Sequence, residues 1–336
     1  MQVNQNLLDV LTREGVLISV NVSYWRAAKK LQPQDLGLDP DEVTDRLISL
    51  GHKRLVPKDA LAAFALIESR AHALVEAATF PFLNGIARFL PNRKLAEVTD
   101  RLDTLEREFN VERLNFAERY SHLRGEALSE WYDHARKLTS NPERIVASVS
   151  AAYPTPEQLQ TKFGFNTNLF QLALPETLDA ELVDAGDRHK LMQAREQAAR
   201  EARSKISQGV ESFVGECVAT LREQTAGLCE EMLESFKSGK SGVHQRTLNR
   251  LTDFIDNFKA LNFAKDTELE AQLNQVRDTY LGTTAVEYRD NAGAQARMRQ
   301  GIQKLANTAR ELAAADTREI VESFGKQGAR RFTLAA

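Results

Sequence analysis

Residues 15 to 25, GVLISVNVSYW, place Val16, Ile18, Val20, Val22 and Tyr24 on one side and mostly small or polar residues on the other. A period of two marks a half-buried strand. DPDEVTDRLISLG (39–51) then reads as a short helix, acidic in its first turn and closed by Gly51. Pro57 opens a helix through about Ala78, with an apolar stripe of Leu61, Phe64, Leu66 or Ile67, Ala71, Leu74 and Val75. TFPFLNGIARFLP predicts a β-hairpin with arms near 80–83 and 86–90, because Asn84-Gly85 suits a tight turn that needs φ > 0. From Pro91 the period becomes helical. Leu95, Val98, Leu102, Leu105, Phe109, Phe116, Tyr120 and Leu123 step along one face, an amphipathic helix of coiled-coil character to about Leu138. Asn141-Pro142 breaks it, and a short helix follows.

The stretch YPTPEQLQTKFGFNTNLFQLALPE (153–176) interrupts this helical pattern. Thr155 is a natural N-cap with Pro156 at the first helical position. After Gly164 the apolar residues Phe170, Leu172 and Leu174 alternate until Pro175, which predicts a strand. A lone strand cannot satisfy its backbone. Its expected partner is the hairpin or the strand at 16–24, closing a small sheet.

Beyond Pro175 the chain reads as helix. Leu182, Leu191, Ala198, Ala202, Ile206, Phe213, Cys217, Leu221, Leu228, Met232 and Phe236 mark one stripe between about 178 and 236. A rod of that length would run on the order of 90 Å, with bends expected at Gly209, Gly215 and Gly227. SGKSG (238–242) is a turn. The return passes through Leu248, Leu251, Phe254, Ile255, Phe258, Leu261, Leu269, Leu273, Val276 and Tyr280, predicting an antiparallel helical hairpin over 178–280. A final helix is expected at about 293 to 324.

Composition adds limits. The 336 residues hold 44 Lys and Arg against 47 Asp and Glu, a net charge of −3, without the basic surplus of a dedicated nucleic-acid binder. The N-terminal residues lack the basic and apolar regions of a secretory signal, and LAAFALI (61–67) is far short of the roughly 20 residues that span a bilayer. Cys217 and Cys229, twelve residues apart on one expected helix, would lie about 18 Å from each other, too far for a disulfide. A reducing cytoplasm is the expected location.

No catalytic, cofactor-binding or metal-binding signature emerges. SGKSG matches the end of a P-loop at Gly239, Lys240 and Ser241, but Glu234 stands where the first glycine belongs, and the loop joins two helices. It reads as a turn. The six histidines show no metal-ligand spacing, and His189 beside Asp184 and Asp187 reads as a solvated helix face. Trp25 and Trp131 read as core aromatics. Two basic clusters remain as contacts for nucleic acid or a partner: Arg26, Lys29 and Lys30, and then Lys326, Arg330 and Arg331. The terminal Leu334-Ala335-Ala336 is similar to the end of bacterial degradation tags, although a frayed end accounts for it more simply.

Several strings occur together: L-x-S-V-N-V-S-Y-W-R-A-A-K-K-L, H-K-R-L-V-P, F-L-N-G-I-A-R-F-L-P, F-x-x-E-R-Y, and P-T-P-E-Q-L-Q-T-K-F-G-F-N-T-N-L-F-Q-L. Over roughly residues 7 to 175 the combination resembles a bacterial family catalogued as a domain of unknown function. The resemblance implies an origin in mobile elements and phage-like islands, beside genes for a MoxR-type or CobS-like AAA+ ATPase and a von Willebrand A-domain protein. It implies partners and carries over no catalytic residue.

The expected fold is α+β: a small antiparallel or mixed sheet with covering helices, followed by an elongated all-α helical hairpin of coiled-coil character. The expected domains are 1–175, 176–325 and a basic flexible tail, 326–336. The expected function is a non-enzymatic adaptor or structural subunit working with the AAA+ ATPase and the von Willebrand A protein. The alternatives are a DNA-associated accessory protein of a mobile element and a self-assembling structural protein.

Overall fold

Helix α1 (Gln2–Glu14) ends where strand β1 (Gly15–Ser23) begins, and the junction depends on Gly15. A Cβ there would lie 2.4 Å from the Leu90 carbonyl oxygen and 2.5 Å from the Phe89 ring. The computed structural model describes residues 2–33, 51–82, 85, 87–171, 188–238 and 243–332. The expected helix at 39–51, the residues 172–175 and most of the SGKSG turn lie outside the described residues.

The fold is α+β, with long helices and a small four-stranded antiparallel sheet. After β1 come two three-residue strands, β2 (Ala28–Lys30) and β3 (His52–Arg54), which pair with each other. A 3-10 turn at Lys58–Leu61 leads into α2 (Ala62–Ala78). Strands β4 (Phe80–Phe82) and β5 (Ala87–Pro91) form the expected hairpin, in antiparallel register from Phe80↔Phe89 to Phe82↔Ala87. Gly85, at φ +83, donates its N–H to the Phe82 carbonyl, so the turn uses the positive φ that only glycine adopts freely. Pro81 sits exposed in β4, an edge strand, where its missing N–H costs the ladder nothing.

Helix α3 (Asn92–Leu138) runs for 47 residues, as its periodicity predicts. The short helix α4 (Pro142–Ser150) follows, and then α5 (Pro156–Gln160). Thr155 and Gln158 form a reciprocal capping box at its start. Strand β6 (Gly164–Phe170) completes the sheet order β4-β5-β1-β6, so β6 flanks β1 as expected. The strand lies earlier than its alternation suggests. Phe165 is the buried anchor, 5.9 Å from the Phe109 ring, whereas Leu169 and Phe170 are exposed.

The rest is helical: α6 (Arg188–Ser238), α7 (Gln245–Leu261), α8 (Thr267–Tyr280), α9 (Ala285–Arg289), α10 (Ala292–Ala314) and α11 (Arg318–Phe332). Helix α6 spans 51 residues without interruption, about 76 Å at about 1.5 Å per residue. The helical backbone is continuous through Gly209, Gly215 and Gly227, where bends are expected. Gly215 instead admits Thr317, whose Oγ1 would lie 2.8 Å from a Cβ at that position.

Two further expectations are corrected. In the elongated helical part, the hairpin expected over 178–280 does not give α6 its principal partner, which is α10, and α7 meets it over fewer residues. The return arm breaks at Asn262–Asp266, where Lys265 takes φ +61. Asn262 Oδ1 accepts the Asp266 N–H at 2.8 Å, and Asp266 Oδ1 caps α8 by accepting the Leu269 N–H at 3.2 Å. The final helix is likewise two. Asp316 accepts the Arg318 N–H at the start of α11, which then carries residues 326–332 as helix.

The Cα packing divides into two compact units interleaved along the chain, where the linear pattern reads as segments meeting near 175. Unit 1 comprises Met1–Ile18, Ala78–Ala96 and Leu169–Ala336, and unit 2 comprises Ser19–Ala77 and Glu97–Asn168. Each has its own aromatic core. In unit 1, Phe80, Phe82 and Phe89 of the hairpin meet Phe213 and Phe263, and Phe263 meets Phe324. In unit 2, Trp25 packs on Phe116, Tyr120 and Tyr153, and Phe64 packs on Tyr24, Phe109, Phe116 and Phe163. Trp25 is thus a core aromatic as expected. Trp131 is half-buried and uses its indole N–H on the Arg54 carbonyl at 3.0 Å. Cys217 and Cys229 are buried free thiols, and burial pushes Cys229 up to about 12 and Cys217 well above its ordinary value.

Candidate functional site

A concentration of basic residues lies on the β2–β3 ribbon of unit 2. Five of its six residues, Lys29, Lys30, His52, Lys53 and Arg54, are basic types, in the register Ala28↔Arg54, Lys29↔Lys53, Lys30↔His52. Lys53 is buried, whereas Ala28, Lys29, Lys30, His52 and Arg54 are exposed. Like charges directly opposite one another weaken a ladder, so the surroundings have to hold the ribbon in place. Leu31 N–H bonds to the Gly51 carbonyl at 3.0 Å and Leu55 N–H to the Ala27 carbonyl at 2.8 Å. Trp131 holds the Arg54 carbonyl, and the Tyr153 hydroxyl donates to the Leu55 carbonyl. Tyr153 is buried, and its pKa is pushed up to about 12, chiefly by desolvation.

At the entry to the ribbon, Arg26 stacks its guanidinium 3.9 Å from the Tyr24 ring centroid and donates to the Tyr24 hydroxyl. It also makes a bidentate pair with Glu68 at 2.7 and 3.0 Å. Hydrogen bonding from Arg26 holds the Glu68 carboxyl below its usual range, and burial raises the Tyr24 phenol. Arg26 is therefore engaged with Glu68 and Tyr24.

Of the six basic residues singled out in the sequence, unit 2 brings Arg26, Lys29 and Lys30 together, with Lys29 and Lys30 on the ribbon itself. Lys326 lies on α11 of unit 1, 3.9 Å from Glu322, and Arg330 and Arg331 continue the same helix. Sequence reasoning missed His52, Lys53 and Arg54 as members of the cluster. The string H-K-R-L-V-P was visible, but only strand pairing sets it against A-K-K.

Most of the buried polar side chains serve the fold. Thr79 accepts from Arg88 at 2.7 Å, Thr225 donates to the Leu221 carbonyl at 2.8 Å, and Asn262 braces Asp266. Arg222 joins Asp266 and the Leu312 carbonyl. Among the described residues, no group of His, Cys, Asp and Glu is arranged to hold a metal ion. No described helix is long and apolar enough to cross a membrane.

The family model for DUF3150, described as a protein of unknown function, matches residues 12–307. The chain belongs to the DUF3150 family. The matched region of this DUF3150 protein takes in the sheet, the ribbon and both aromatic cores except Phe324, and extends into α10. No curated protein and no solved structure matches the chain.

Proposed function

We propose that this DUF3150 protein is a non-enzymatic adaptor or structural subunit. In this reading it acts with a MoxR-type or CobS-like AAA+ ATPase and a von Willebrand A-domain protein in a mobile-element or phage-related system. The observation that carries the docking role is the cationic ribbon, whose backbone is braced by Trp131 and Tyr153 before any partner arrives. Charged surface groups contribute on-rate and specificity more than raw affinity, which suits a subunit that docks and releases. The resemblance of the quoted strings supports the identity of the partners.

Co-expression with the two neighbouring gene products tests this. Co-purification with either at low salt, weakening as salt is raised, is the expected result. Large homo-oligomers that ignore both neighbours would favour self-assembly. Salt-sensitive retention on DNA without either neighbour would favour the DNA-associated alternative.

A further inference from the structure

We propose that the outward face of the β2–β3 ribbon, Lys30 with His52 and Arg54, docks a short acidic segment of a partner protein. The inference rests on the adaptor reading above and names the chemistry of its contact. In an antiparallel ladder, directly opposed residues share a face and the faces alternate along each strand. The register therefore gathers Lys30, His52 and Arg54 with the small Ala28 on one face, and Lys29 with the buried Lys53 on the other. Lys30 and His52 are a direct cross-strand pair, with Cβ atoms about 5 Å apart. Arg54 follows His52 on the same face about 7 Å along the strand. Ala28 opposite Arg54 leaves the guanidinium unobstructed by its cross-strand neighbour, and this is the group that pairs best with a planar carboxylate.

The spacing favours a peptide. An extended acidic segment presents alternate side chains about 7 Å apart on one side, the interval from His52 to Arg54. A ribbon of three residue pairs, about 10 Å long, is matched by two or three such side chains. Duplex DNA would bring many more phosphates against a chain whose net charge is −3. Because the backbone hydrogen bonds beneath the ribbon are already made, little ordering cost falls on binding.

The test uses the full-length protein and a fluorescently labelled peptide of alternating glutamates, read by anisotropy. The same peptide with glutamines and a labelled DNA duplex serve as comparisons. The glutamate peptide should bind and the glutamine peptide should not. Lys30→Glu with Arg54→Glu should weaken binding about thirtyfold. Arg144→Glu with Lys162→Glu, exposed residues of the same unit and an equal change of net charge, should leave it within a factor of about two. If the ribbon double variant loses its circular-dichroism signature, Lys30→Gln with Arg54→Gln should still weaken binding about tenfold. Equal losses in both double variants, or tighter binding of the duplex than of the glutamate peptide, would overturn the inference. If the neighbouring proteins co-purify equally with wild type and ribbon variant, the ribbon assignment fails and the adaptor reading stands. If the peptide binds as expected and neither neighbour co-purifies, the adaptor reading fails instead.

Discussion

Arg222 and Asp266 meet at 2.6 Å with side chains only 4% and 2% exposed, joining α6 to the N-cap of α8. Arg222 also donates to the Leu312 carbonyl at 2.7 Å near the end of α10, so one guanidinium ties three helices together. Asp266 is doubly committed, because its other oxygen caps α8. Two charges taken out of water are retained here by their mutual pair and by the hydrogen bonds each makes to the backbone.

Removing one partner should therefore cost more than removing both. Arg222→Ala is expected to destabilise the protein by about 3–5 kcal/mol, since it leaves the Asp266 carboxylate buried and unpaired. Arg222→Leu with Asp266→Asn, which keeps an N-cap acceptor, should recover part of that loss. Urea unfolding of the three proteins checks this. A double variant less stable than Arg222→Ala would contradict it.

Two glycine substitutions should move in opposite directions. Gly15→Ala sets a methyl against the Leu90 carbonyl, an atom of the β5 backbone that cannot step aside. A loss of about 1–3 kcal/mol is expected from the strain. Gly125→Ala lies within α3, with nothing within 4 Å of the new Cβ, and should stabilise by about 0.5–1 kcal/mol. Thermal unfolding midpoints that fall for the first and rise for the second are the expected pair.

Tyr153 makes stability depend on alkaline pH. Its folded pKa is raised to about 12, chiefly by burial, whereas the unfolded phenol titrates near 10. The folded state thus holds the proton more tightly. The contribution is complete below about pH 10 and is lost as pH rises toward about 12. Tyr153→Phe should remove this slope while costing about 1 kcal/mol at neutral pH for the lost bond to the Leu55 carbonyl. Unfolding free energies measured across the alkaline range report both, and an unchanged slope in the variant would exclude Tyr153 as its source.

The candidate site was legible only in halves. Lys29 and Lys30 stood out as a cluster beside Arg26, but Arg26 has Glu68 and Tyr24 as partners, brought to it from α2 and the end of the first strand. His52 and Arg54 enter through a strand pairing between segments more than twenty residues apart. A three-residue strand is too short for its own alternation to announce a partner. The sequence suggests a core role for Trp131, yet its useful atom is the indole N–H on the Arg54 carbonyl, a placement that depends on where α3 passes the ribbon.

What the sequence determined by itself are the features whose physics is local. Alternation from Val16 to Tyr24 specifies a strand, Gly85 supplies the turn of the hairpin, and the spacing from Leu95 to Leu123 makes α3 one continuous helix. Thr155, Pro156 and Gln158 carry a helix start within four residues. Only the tertiary structure decided which faces meet. Helix α6 buries Val210, Val214, Val218 and Leu233 as well as Phe213, Cys217, Leu221, Leu228, Met232 and Phe236 of its expected stripe, so more than one partner can satisfy it. The choice of α10 follows from how Ile302, Leu305, Ala306 and Ala309 fill that broader face, and from the Asn262–Asp266 break that interrupts the return arm. Hydrophobic periodicity says that a face must be buried. Shape and hydrogen-bond satisfaction across distant segments decide against what.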